Sequence, residues 1–442
     1  MYKDKKIFIL GLARSGYEVA KLLAETNDIT LVDNSCDEEL QKKELENLCV
    51  KVFFGEFNHL FDDSFDVLIK NPGIKNYHPV IKKAKELNIA IVNEVEVAYH
   101  YLPKNIDIIG ITGTNGKTTT STLIYEVLKQ GNRNVHLCGN IGFPLSSFVN
   151  KIKENDILVI EISNYQLYNF KDFKTNISVL VNLSPAHLDF HNDDYNDYIN
   201  TKKKIFNNHN ENDIAIINLN DKDSQTITKD IKSNKIYFSN NKETDIYLNN
   251  NDIIYKDEII INTENILLKG IHNYQNIMCA IIVGKHFNID KDKMNEVFKS
   301  FKGVEHRIEY VTTINNVKYY NDSKSTNNTA TITALSSFAD PIILLLGGLD
   351  RGQTFDDLLP YMNNVKQVIT YGETKNKIKA FCNNNNIKCE IQNNLKESTI
   401  YANKIAVPND IVLLSPACAS WDQYKCFEDR GEDYKNIIET LK

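Results

Sequence analysis

The sequence has no apolar run approaching the ~20 residues that a helix needs to cross a bilayer. Its eight cysteines are scattered and include no C-x-x-C pair. That spacing disfavours a disulfide framework or a zinc site and is typical of reduced, mostly buried thiols in a cytosolic protein. A basic surplus is also missing, because the formal net charge is −7, which disfavours general nucleic-acid binding. We therefore expect a cytoplasmic protein without membrane or nucleic-acid partners.

The N-terminal stretch MYKDKKIFIL lacks a secretory signal's small-residue cleavage site, and we interpret it as a mature start that leads into a strand. A chain of 442 residues predicts two or three domains of roughly 150 residues each. Its hydrophobic content of 42% is sufficient for buried cores.

Short β-branched runs alternate with amphipathic stretches along most of the chain, a pattern typical of parallel sheets joined by crossover helices. Strand candidates lie at 6–10, 29–33, 50–54, 66–70, 89–93, 106–111, 157–162, 177–183, 214–219, 341–348, 365–372 and 410–416, with a hairpin-like region at 245–261. A helix is expected from near His272. The stretches His100 to Asn105 and Phe301 to Arg307 are candidate linkers. We therefore predict an α/β protein with three domains, 1–102, 103–302 and 303–442.

The segment GITGTNGKTTTS, which begins at Gly110, lacks one glycine of a phosphate-binding loop. The strict pattern G-x-x-x-x-G-K-[ST] requires glycine where this chain has Ile111. Two glycines remain after a buried strand, and they permit positive φ angles and a close approach of backbone N–H groups to phosphate oxygens. The start of the following helix adds donors and positive potential. We interpret this segment as a phosphate loop rather than an ordinary turn.

Within that loop, Lys117 supplies a charge for the β- and γ-phosphates, and Thr118 is suited to hold Mg²⁺. The predicted nucleotide contacts of the loop are Gly113, Thr114, Asn115, Gly116, Lys117, Thr118 and Thr119.

A second glycine pattern, near the N-terminus, is also incomplete. The dinucleotide fingerprint G-x-G-x-x-G appears as Gly11, Ala13 and Gly16, without its middle glycine. Asp33 ends the next strand, where an acid would bind a ribose hydroxyl. The pattern by itself leaves a degenerate NAD site and a purely structural turn open.

Polar residues follow two of the buried strands beyond the phosphate loop. Glu161 ends one strand at the edge where α/β sites gather, and carboxylate oxygens suit Mg²⁺. His187 follows the other strand. Either residue alone has an ordinary alternative, a surface ion pair for the glutamate and a structural role for the histidine. The run of lysines in YINTKKKIF is, on its own, typical of a solvated helix face.

Several motifs together resemble the Mur ligases and their folylpolyglutamate synthase relatives, which are ATP-dependent amide-forming enzymes with three domains. These motifs cover essentially the whole chain: TGTNGKTT, GNIG (139–142), EISNYQL (161–167), HLDFH (187–191), HNYQN (272–276), HR (306–307), NDSKSTN (321–327), GGLDRG (347–352) and SPACASWDQYKCFEDRG (415–431). The last three resemble the branch that adds D-glutamate to UDP-N-acetylmuramoyl-L-alanine.

The resemblance implies a Rossmann-like N-terminal domain that binds UDP, a central P-loop ATPase-type parallel sheet with a small β region, and a Rossmann-like C-terminal domain for the amino acid. It implies an ATP-dependent ligase of cytoplasmic peptidoglycan precursor synthesis, acting through an acyl phosphate. The substrates would be UDP-N-acetylmuramoyl-L-alanine and D-glutamate. The expected cofactors are ATP and two Mg²⁺ ions, and we expect a monomer.

The resemblance also implies a role for individual residues. The metal ligands would be Thr118, Glu161, His187 and Lys202, and the catalytic groups would be Lys117, Glu161, His187 and Lys202. Lys202 would react with CO₂ to form a carbamate. Because three lysines are adjacent, Lys203 and Lys204 remain alternatives for this role. Further ATP contacts would be Asn276, Arg307, Asp322 and Lys324. The UDP substrate would contact Arg14, Ser15, Asp33, Asn34, Asn71, Gly73, Asn140, Ser163 and Gln166. D-glutamate would contact Lys324, Thr326, Arg351, Ser420 and Phe427.

Two positions depart from the pattern of some family members. Arg351 stands where some carry lysine, and Trp421 replaces a smaller apolar residue. Three other hypotheses remain open: a superfamily ligase for a different amino acid or for folate, a binding protein switched by ATP, and an NAD-dependent oxidoreductase. The broken fingerprint and the separate phosphate loop disfavour the oxidoreductase.

Overall fold

A computed structural model describes the chain except for Met1, residues 35–38, Ile141 and His187. The side chains of Glu39 and Asp189 are also left out of the description. The chain divides into two compact units, Met1–Phe301 and Lys302–Lys442. The first unit contains two sheets and the second unit contains one.

The first sheet is formed by the N-terminal strands and has helices between them. Its elements are β1 (Lys6–Leu10), α1 (Arg14–Leu23), β2 (Asp28–Asp33), α2 (Glu39–Asn47), β3 (Lys51–Phe54), β4 (Val67–Lys70), α3 (Pro79–Glu86), β5 (Ala90–Val92) and α4 (Glu94–Tyr99). All five strands are parallel, in the order β3-β2-β1-β4-β5. The order reverses between β1 and β4, which is where open α/β sheets form a crevice at the carboxyl ends of their strands.

The second sheet is the largest. Its elements are β6 (Asp107–Thr112), α5 (Lys117–Gln130), β7 (Val135–Gly139), β8 (Ile157–Glu161), α6 (Asn164–Leu167), β9 (Ile177–Leu180), α7 (Tyr195–Lys203), β10 (Ile214–Asn218), α8 (Lys222–Ile227), β11 (Asn234–Ser239), β12 (Ile246–Asn249), β13 (Asp252–Tyr255), β14 (Glu258–Asn262), α9 (Ile271–His286) and α10 (Lys291–Ser300). The strand order is β14-β13-β12-β11-β10-β9-β6-β8-β7, antiparallel only along β12, β13 and β14. Apolar clusters cover both faces, and this burial explains the continuous Ile/Val runs.

The third sheet belongs to the second unit. Its elements are β15 (Glu309–Ile314), β16 (Val317–Asn321), α11 (Asn328–Leu335), β17 (Ile342–Gly347), β18 (Val365–Tyr371), α12 (Lys375–Asn384), β19 (Cys389–Ile391), α13 (Leu395–Ile405), β20 (Ile411–Leu414) and α14 (Phe427–Glu439). The order is β15-β16-β20-β17-β18-β19, and only the β15–β16 pair is antiparallel. The expected α/β class with three sheet domains is confirmed, while the three domain boundaries stay predictions.

Every strand run proposed from the sequence forms a strand, and α9 begins at Ile271, next to the expected His272. The prediction missed β7, β11, β15, β16 and β19. Most of these lie at or near sheet edges, where only part of each strand is buried and the apolar pattern is weaker.

The structure also describes most of the cysteines and the helices that were considered as possible membrane spans. The seven cysteines that the structure describes are all free, and five of them are buried; Cys36 lies outside the described residues. Among the described helices, none combines the length and the apolar character that a bilayer span requires.

Helix α4 joins the first sheet to the second. Asn93 caps it by accepting a hydrogen bond from the Glu96 backbone N–H at 3.1 Å. The Glu96 carboxylate accepts bonds from the backbone N–H groups of residues 171–173. Glu94 is 3% exposed and accepts a bond from the Ser146 backbone N–H at 2.5 Å. Burial raises the pKa of Glu94 from 4.5 to about 7.

Glu94 should make the stability of the first unit depend on pH. The folded chain keeps this proton up to pH about 7, whereas the unfolded chain releases it above about 4.5, so folded-state stability decreases as pH rises through that window. Relative to the Glu94→Gln variant, which lacks this one titrating group, the wild type should lose about 3 kcal/mol of unfolding free energy between pH 4 and 8. Urea denaturation at both pH values measures this.

The exposed Glu86 at the end of α3 provides a matched control. Glu86→Gln should follow the wild-type pH dependence. Equal pH dependence of the Glu94→Gln variant and the wild type would contradict the expectation.

Candidate active site

The loop between β6 and α5 has a backbone that requires its two glycines. Gly113 has a φ of +151° and Gly116 a φ of +79°. A Cβ atom on Gly113 would lie 3.1 Å from the Cβ of Val181, and one on Gly116 would lie 2.6 Å from Oδ1 of Asn276. The turn therefore keeps its close approach to β9 and α9 even though the strict motif's first glycine is replaced by Ile111.

Lys117 begins helix α5 and folds back over the loop. Its Nζ donates hydrogen bonds to the backbone carbonyls of Gly113 and Thr114, each at 2.9 Å. The loop is anchored from the next strand, because the backbone N–H groups of Thr114 and Asn115 both donate to Asn182 at 2.9 Å. The ammonium group thus sits above a fixed backbone turn at a helix N-terminus, the arrangement that favours bound anions.

Glu161, at the end of β8, bonds to two other predicted residues. Its side chain is 1% exposed. Thr118 Oγ1 donates to one carboxylate oxygen at 2.7 Å, and Asn140 Nδ2 donates to the other at 2.6 Å. Residues predicted for metal, nucleotide and UDP-substrate contacts therefore meet at one buried carboxylate.

Lys202 reaches the same place from helix α7. It is 1% exposed, and its Nζ donates to the Gly113 carbonyl at 2.9 Å and lies 4.9 Å from the ring centre of Tyr198. Burial, reinforced by the Lys117 charge and opposed by Glu161, holds the Lys202 pKa well below its usual value.

The other two lysines of the run lie elsewhere. Lys203 is half-buried, and Lys204 donates to the Tyr168 carbonyl at 2.8 Å. Of the three, Lys202 is the one that the structure bonds to the phosphate loop. His187, the remaining predicted metal ligand, lies outside the described residues.

Asn276 supports the loop from helix α9. Its Oδ1 accepts a bond from Thr120 Oγ1 at 3.0 Å and lies next to Gly116. Thr119 is half-buried in the first turn of α5. The predicted nucleotide contacts of the first unit are thus brought together around one turn.

A cavity of about 290 Å³ lies at the carboxyl edge of the first sheet, and the predicted Asp33, Asn34, Asn71 and Gly73 all line it. Asp33 accepts a bond from the Leu12 backbone N–H at 2.6 Å. We call this the first-sheet cavity.

The incomplete fingerprint forms one wall of the first-sheet cavity. Gly11 has a φ of +103°, and a Cβ there would lie 2.8 Å from the Asn71 Cβ. Arg14 and Ser15 begin α1; the first is exposed and the second half-buried.

Two aromatic residues of the first-sheet cavity were missed by the sequence analysis. Phe57 and His78 stack with their ring centres 6.1 Å apart and their planes at 13°. Burial lowers the pKa of His78, which favours the neutral ring. No motif or spacing marks either residue, because they come from separate loops.

Ser163 and Gln166 are engaged in local structure. They form a capping box at α6, in which the Ser163 N–H and hydroxyl both donate to Gln166 Oε1, at 2.8 and 2.9 Å. Asn93 donates to the Gln166 carbonyl at 2.5 Å. Their contact with substrate stays a prediction.

Asp322 is a buried acid of the second unit. It is 1% exposed and accepts bonds from Ser415 Oγ at 2.6 Å and from the Ile308 backbone N–H at 3.2 Å. Burial raises its pKa to about 6, although these bonds and the nearby charge of Arg307 act in the opposite direction. Arg307 itself is half-buried.

The residues predicted for D-glutamate surround the C-terminal motifs of the second unit. Lys324 Nζ lies 5.8 Å from the Phe427 ring centre. Thr326 is half-buried just beyond, and its backbone N–H donates to the Lys324 carbonyl at 2.9 Å. The Ser420 hydroxyl is buried and has no hydrogen-bond partner among the described residues.

The two departures from the family pattern lie against each other. The Arg351 guanidinium carbon is 4.4 Å from the Trp421 ring centre, a cation–π arrangement. The larger aromatic residue therefore holds the planar arginine head that replaces a lysine.

Arg430 was not predicted, although it lies inside the last motif. It is 1% exposed; its guanidinium donates to the Ser323 hydroxyl at 2.9 Å, the Ser323 carbonyl at 2.8 Å and the Cys418 carbonyl at 3.1 Å. It therefore binds the NDSKSTN segment to the SPACAS segment. A buried arginine in a motif already rich in polar residues gives no separate signal in the sequence.

Three family profiles match successive parts of the chain. The "Mur ligase MurD-like, N-terminal domain" matches residues 5–93, the "Mur ligase middle domain" residues 111–284, and the "Mur ligase, glutamate ligase domain" residues 306–418. Together they cover all three sheets.

Full-length relatives agree with these profiles. The UDP-N-acetylmuramoylalanine–D-glutamate ligase of Geobacillus sp. (strain WCH70) is 42% identical over 448 residues, covering 100% of this chain and 99% of the relative. The enzyme of the same name from Listeria monocytogenes serovar 1/2a is 40% identical over 447 residues, covering 100% and 98%.

The crystal structure of UDP-N-acetylmuramate-alanine ligase from Thermotoga maritima has a TM-score of 0.59 at 17% identity, over 99% of this chain and 100% of that one. That likeness shows the fold. With the phosphate loop, Glu161 and the buried lysine in place, the chain belongs to the Mur ligase family, on the branch of the UDP-N-acetylmuramoylalanine–D-glutamate ligases.

Proposed function

We propose that the chain uses ATP to join D-glutamate to UDP-N-acetylmuramoyl-L-alanine through an acyl phosphate, in peptidoglycan precursor synthesis. The γ-phosphoryl group passes to the substrate carboxylate and ADP leaves. The D-glutamate amine then attacks the acyl carbon, the C–N bond forms, and phosphate leaves. The observation that carries this proposal is the meeting of Thr118, Asn140 and Glu161 at one buried carboxylate beside the phosphate loop.

The donor set at that carboxylate fits Mg²⁺. Glu161 offers buried carboxylate oxygens, Thr118 a hydroxyl, and both are ligand types that this ion prefers. When bound, Mg²⁺ offsets the repulsion between the phosphate and carboxylate anions. Lys117 adds a fixed positive charge for the transferred phosphoryl group, and Thr118, Glu161, His187 and a modified Lys202 are the proposed ligands.

Lys202 fits a metal site only after a change of charge, because an ammonium group repels a cation. Its lowered pKa leaves the free amine available, and that amine adds to CO₂ to give a carbamate and a released proton. The carbamate would turn the lysine into an oxygen ligand next to Lys117, whose positive charge favours it.

The three substrates are assigned to separate parts of the chain. We propose that residues 1–102 bind the UDP end, 103–302 bind ATP, and 303–442 bind D-glutamate. The first-sheet cavity supports the uridine assignment, and its stacked Phe57 and His78 offer a flat apolar wall for a pyrimidine. The buried hydroxyl of Ser420 and the cations Lys324 and Arg351 supply donors for a dicarboxylic amino acid.

The proposed ATP contacts from the second unit are Arg307, Asp322 and Lys324. The remaining proposed contacts of the UDP substrate are Arg14, Ser15, Ser163 and Gln166. We place the reaction in the cytoplasm, in keeping with the free thiols of the described cysteines, and we expect a monomer.

A phosphate-release assay tests the substrate assignment. Purified protein with ATP, Mg²⁺ and UDP-N-acetylmuramoyl-L-alanine should release phosphate in proportion to added D-glutamate. L-glutamate, L-lysine and D-alanine should give rates at least about 10²-fold lower, because buried donors left unpaired by the wrong ligand oppose its binding.

Omission of the sugar nucleotide should abolish the amino-acid-dependent release. Phosphate release that does not depend on the amino acid would contradict the proposed reaction, and a preference for another amino acid would transfer the chain to a different ligase specificity.

A further inference from the structure

A second cavity of about 290 Å³ lies in the first unit, between the α3 region of the first sheet and the α6–α7 region of the second. Lys75, Lys82 and Lys85 line one side, and the rings of Tyr168 and Phe190 line the other. It shares no lining residue with the first-sheet cavity, although the loop at residues 71–78 contributes to both. We call it the lysine cleft.

The lysine cleft is strongly cationic in a chain whose net charge is −7. Besides the three lining lysines, Lys70 lies behind its floor, with Nζ 5.3 Å from the Phe190 ring centre. Lys75 approaches the same ring, with Nζ at 5.9 Å. The aromatic floor therefore has two ammonium groups close to it.

One carboxylate belongs to the described lining of the cleft, that of Asp197. It is already engaged, because it accepts a bond from His191 Nδ1 at 2.5 Å. Lys204 lies near Asp197 on the α7 side and contributes another positive charge. Among the described lining residues of the cleft, three lysines therefore face one carboxylate.

Lys70 is buried next to the cleft lysines. It is 1% exposed, and its Nζ donates to the carbonyls of Ile74 at 2.8 Å and Pro72 at 3.4 Å. Burial, followed by repulsion from Lys85, lowers its pKa to about 8. An anion between the lysines would relieve that repulsion, and it would stabilise the loop that walls the first-sheet cavity.

We propose that the lysine cleft binds an organic phosphate, with its phosphate group among Lys75, Lys82 and Lys85 and an apolar or planar group on Tyr168 and Phe190. Three ammonium donors suit the charge of a phosphate ester, and the aromatic floor suits the group it carries. The phosphate comes either from the sugar nucleotide reaching past residues 71–78 or from a separate phosphorylated metabolite. The test of this site measures binding and not turnover, so its outcome is separate from that of the ligase assay.

Calorimetric titration with phenyl phosphate tests the site, with a non-hydrolysable ATP analogue plus Mg²⁺ present at saturation to fill the phosphate loop. The wild type should bind one phenyl phosphate per chain, more weakly as salt increases. Lys82→Gln with Lys85→Gln should weaken binding at least tenfold. Both side chains are exposed, and the variant should keep wild-type affinity for the ATP analogue as evidence of folding.

Lys83→Gln is the matched control on the same helix. Lys83 directs its Nζ to the Phe61 carbonyl at 2.5 Å instead of the cleft, so this variant loses the same charge and should bind phenyl phosphate within twofold of the wild type. No saturable binding, or equal binding by the wild type and the Lys82/Lys85 variant, would overturn the proposal.

Repeating the titration with saturating UDP, or with UDP-N-acetylmuramoyl-L-alanine, identifies the source of the phosphate. Displacement of phenyl phosphate would assign the cleft to the sugar nucleotide, and undisturbed binding would assign it to a separate metabolite. The phosphate-release assay does not depend on either result, so failure here leaves the proposed reaction standing.

Discussion

Lys117→Ala should lower kcat by about 10³-fold, because the phosphate loop loses the ammonium group at its helix N-terminus, at the proposed site of phosphoryl transfer. In the structure that ammonium bonds to two carbonyls of the loop itself, so its position is set before any ligand binds. The variant should still bind UDP-N-acetylmuramoyl-L-alanine with an affinity within about twofold of the wild type, since the first-sheet cavity is a separate site. Phosphate release measures kcat, and calorimetry measures the binding.

Lys129→Ala gives the control for charge on the same helix. Lys129 lies exposed in the last turn of α5, far along the helix from the loop, and its removal should leave kcat unchanged. If Lys117→Ala instead abolished binding of the sugar nucleotide, the assignment of UDP to residues 1–102 would be wrong.

Lys202→Ala should lower kcat by about 10²- to 10³-fold, and added acetate should restore part of the activity. Acetate can occupy the space of the lost side chain and present a carboxylate where the carbamate would lie. A purely structural lysine would give no such rescue, because a small anion cannot replace its bond to the Gly113 carbonyl. Rates with and without acetate, and bicarbonate dependence of the wild type, are the measurements.

Lys203→Ala, at the half-buried neighbour, should keep wild-type activity and show no acetate effect. A fully active Lys202→Ala variant without additives would remove Lys202 from the site. A variant that is inactive, folded and insensitive to acetate would retain the lysine but contradict its conversion to a carbamate.

Most of the fold is predictable from the sequence because the parallel strands are buried on both faces. The cost of burying polar groups there leaves continuous apolar runs such as those of β6, β8 and β17, which are visible without any structure. The three-residue β19 and the half-exposed β15 were missed because pairing with a neighbouring strand, and not local composition, makes them strands.

The residues of the candidate site also differ in whether a local sequence pattern or a contact between distant segments defines them. The phosphate loop and Glu161 are predictable because glycine turns and strand-end acids are local features of a parallel sheet. The preference for Lys202 over its two neighbours rested on the family resemblance. The structure adds that Lys202 is buried and bonds to the Gly113 carbonyl, whereas Lys203 and Lys204 are only half-buried. Contacts between distant segments of the chain create the Phe57–His78 stack, the bonds of Arg430 and the lysine cleft. No local sequence pattern therefore predicts them.

In the last helix, the Arg430 guanidinium donates hydrogen bonds to two backbone carbonyls and one hydroxyl. Helix α14 therefore links the NDSKSTN and SPACAS segments inside the second unit. A stop codon or frameshift between Ser420 and Phe427 would leave those acceptors without their donor, although every predicted contact residue except Phe427 would still be encoded. Peptide tags and fusions are better tolerated beyond Glu439 than anywhere within this helix.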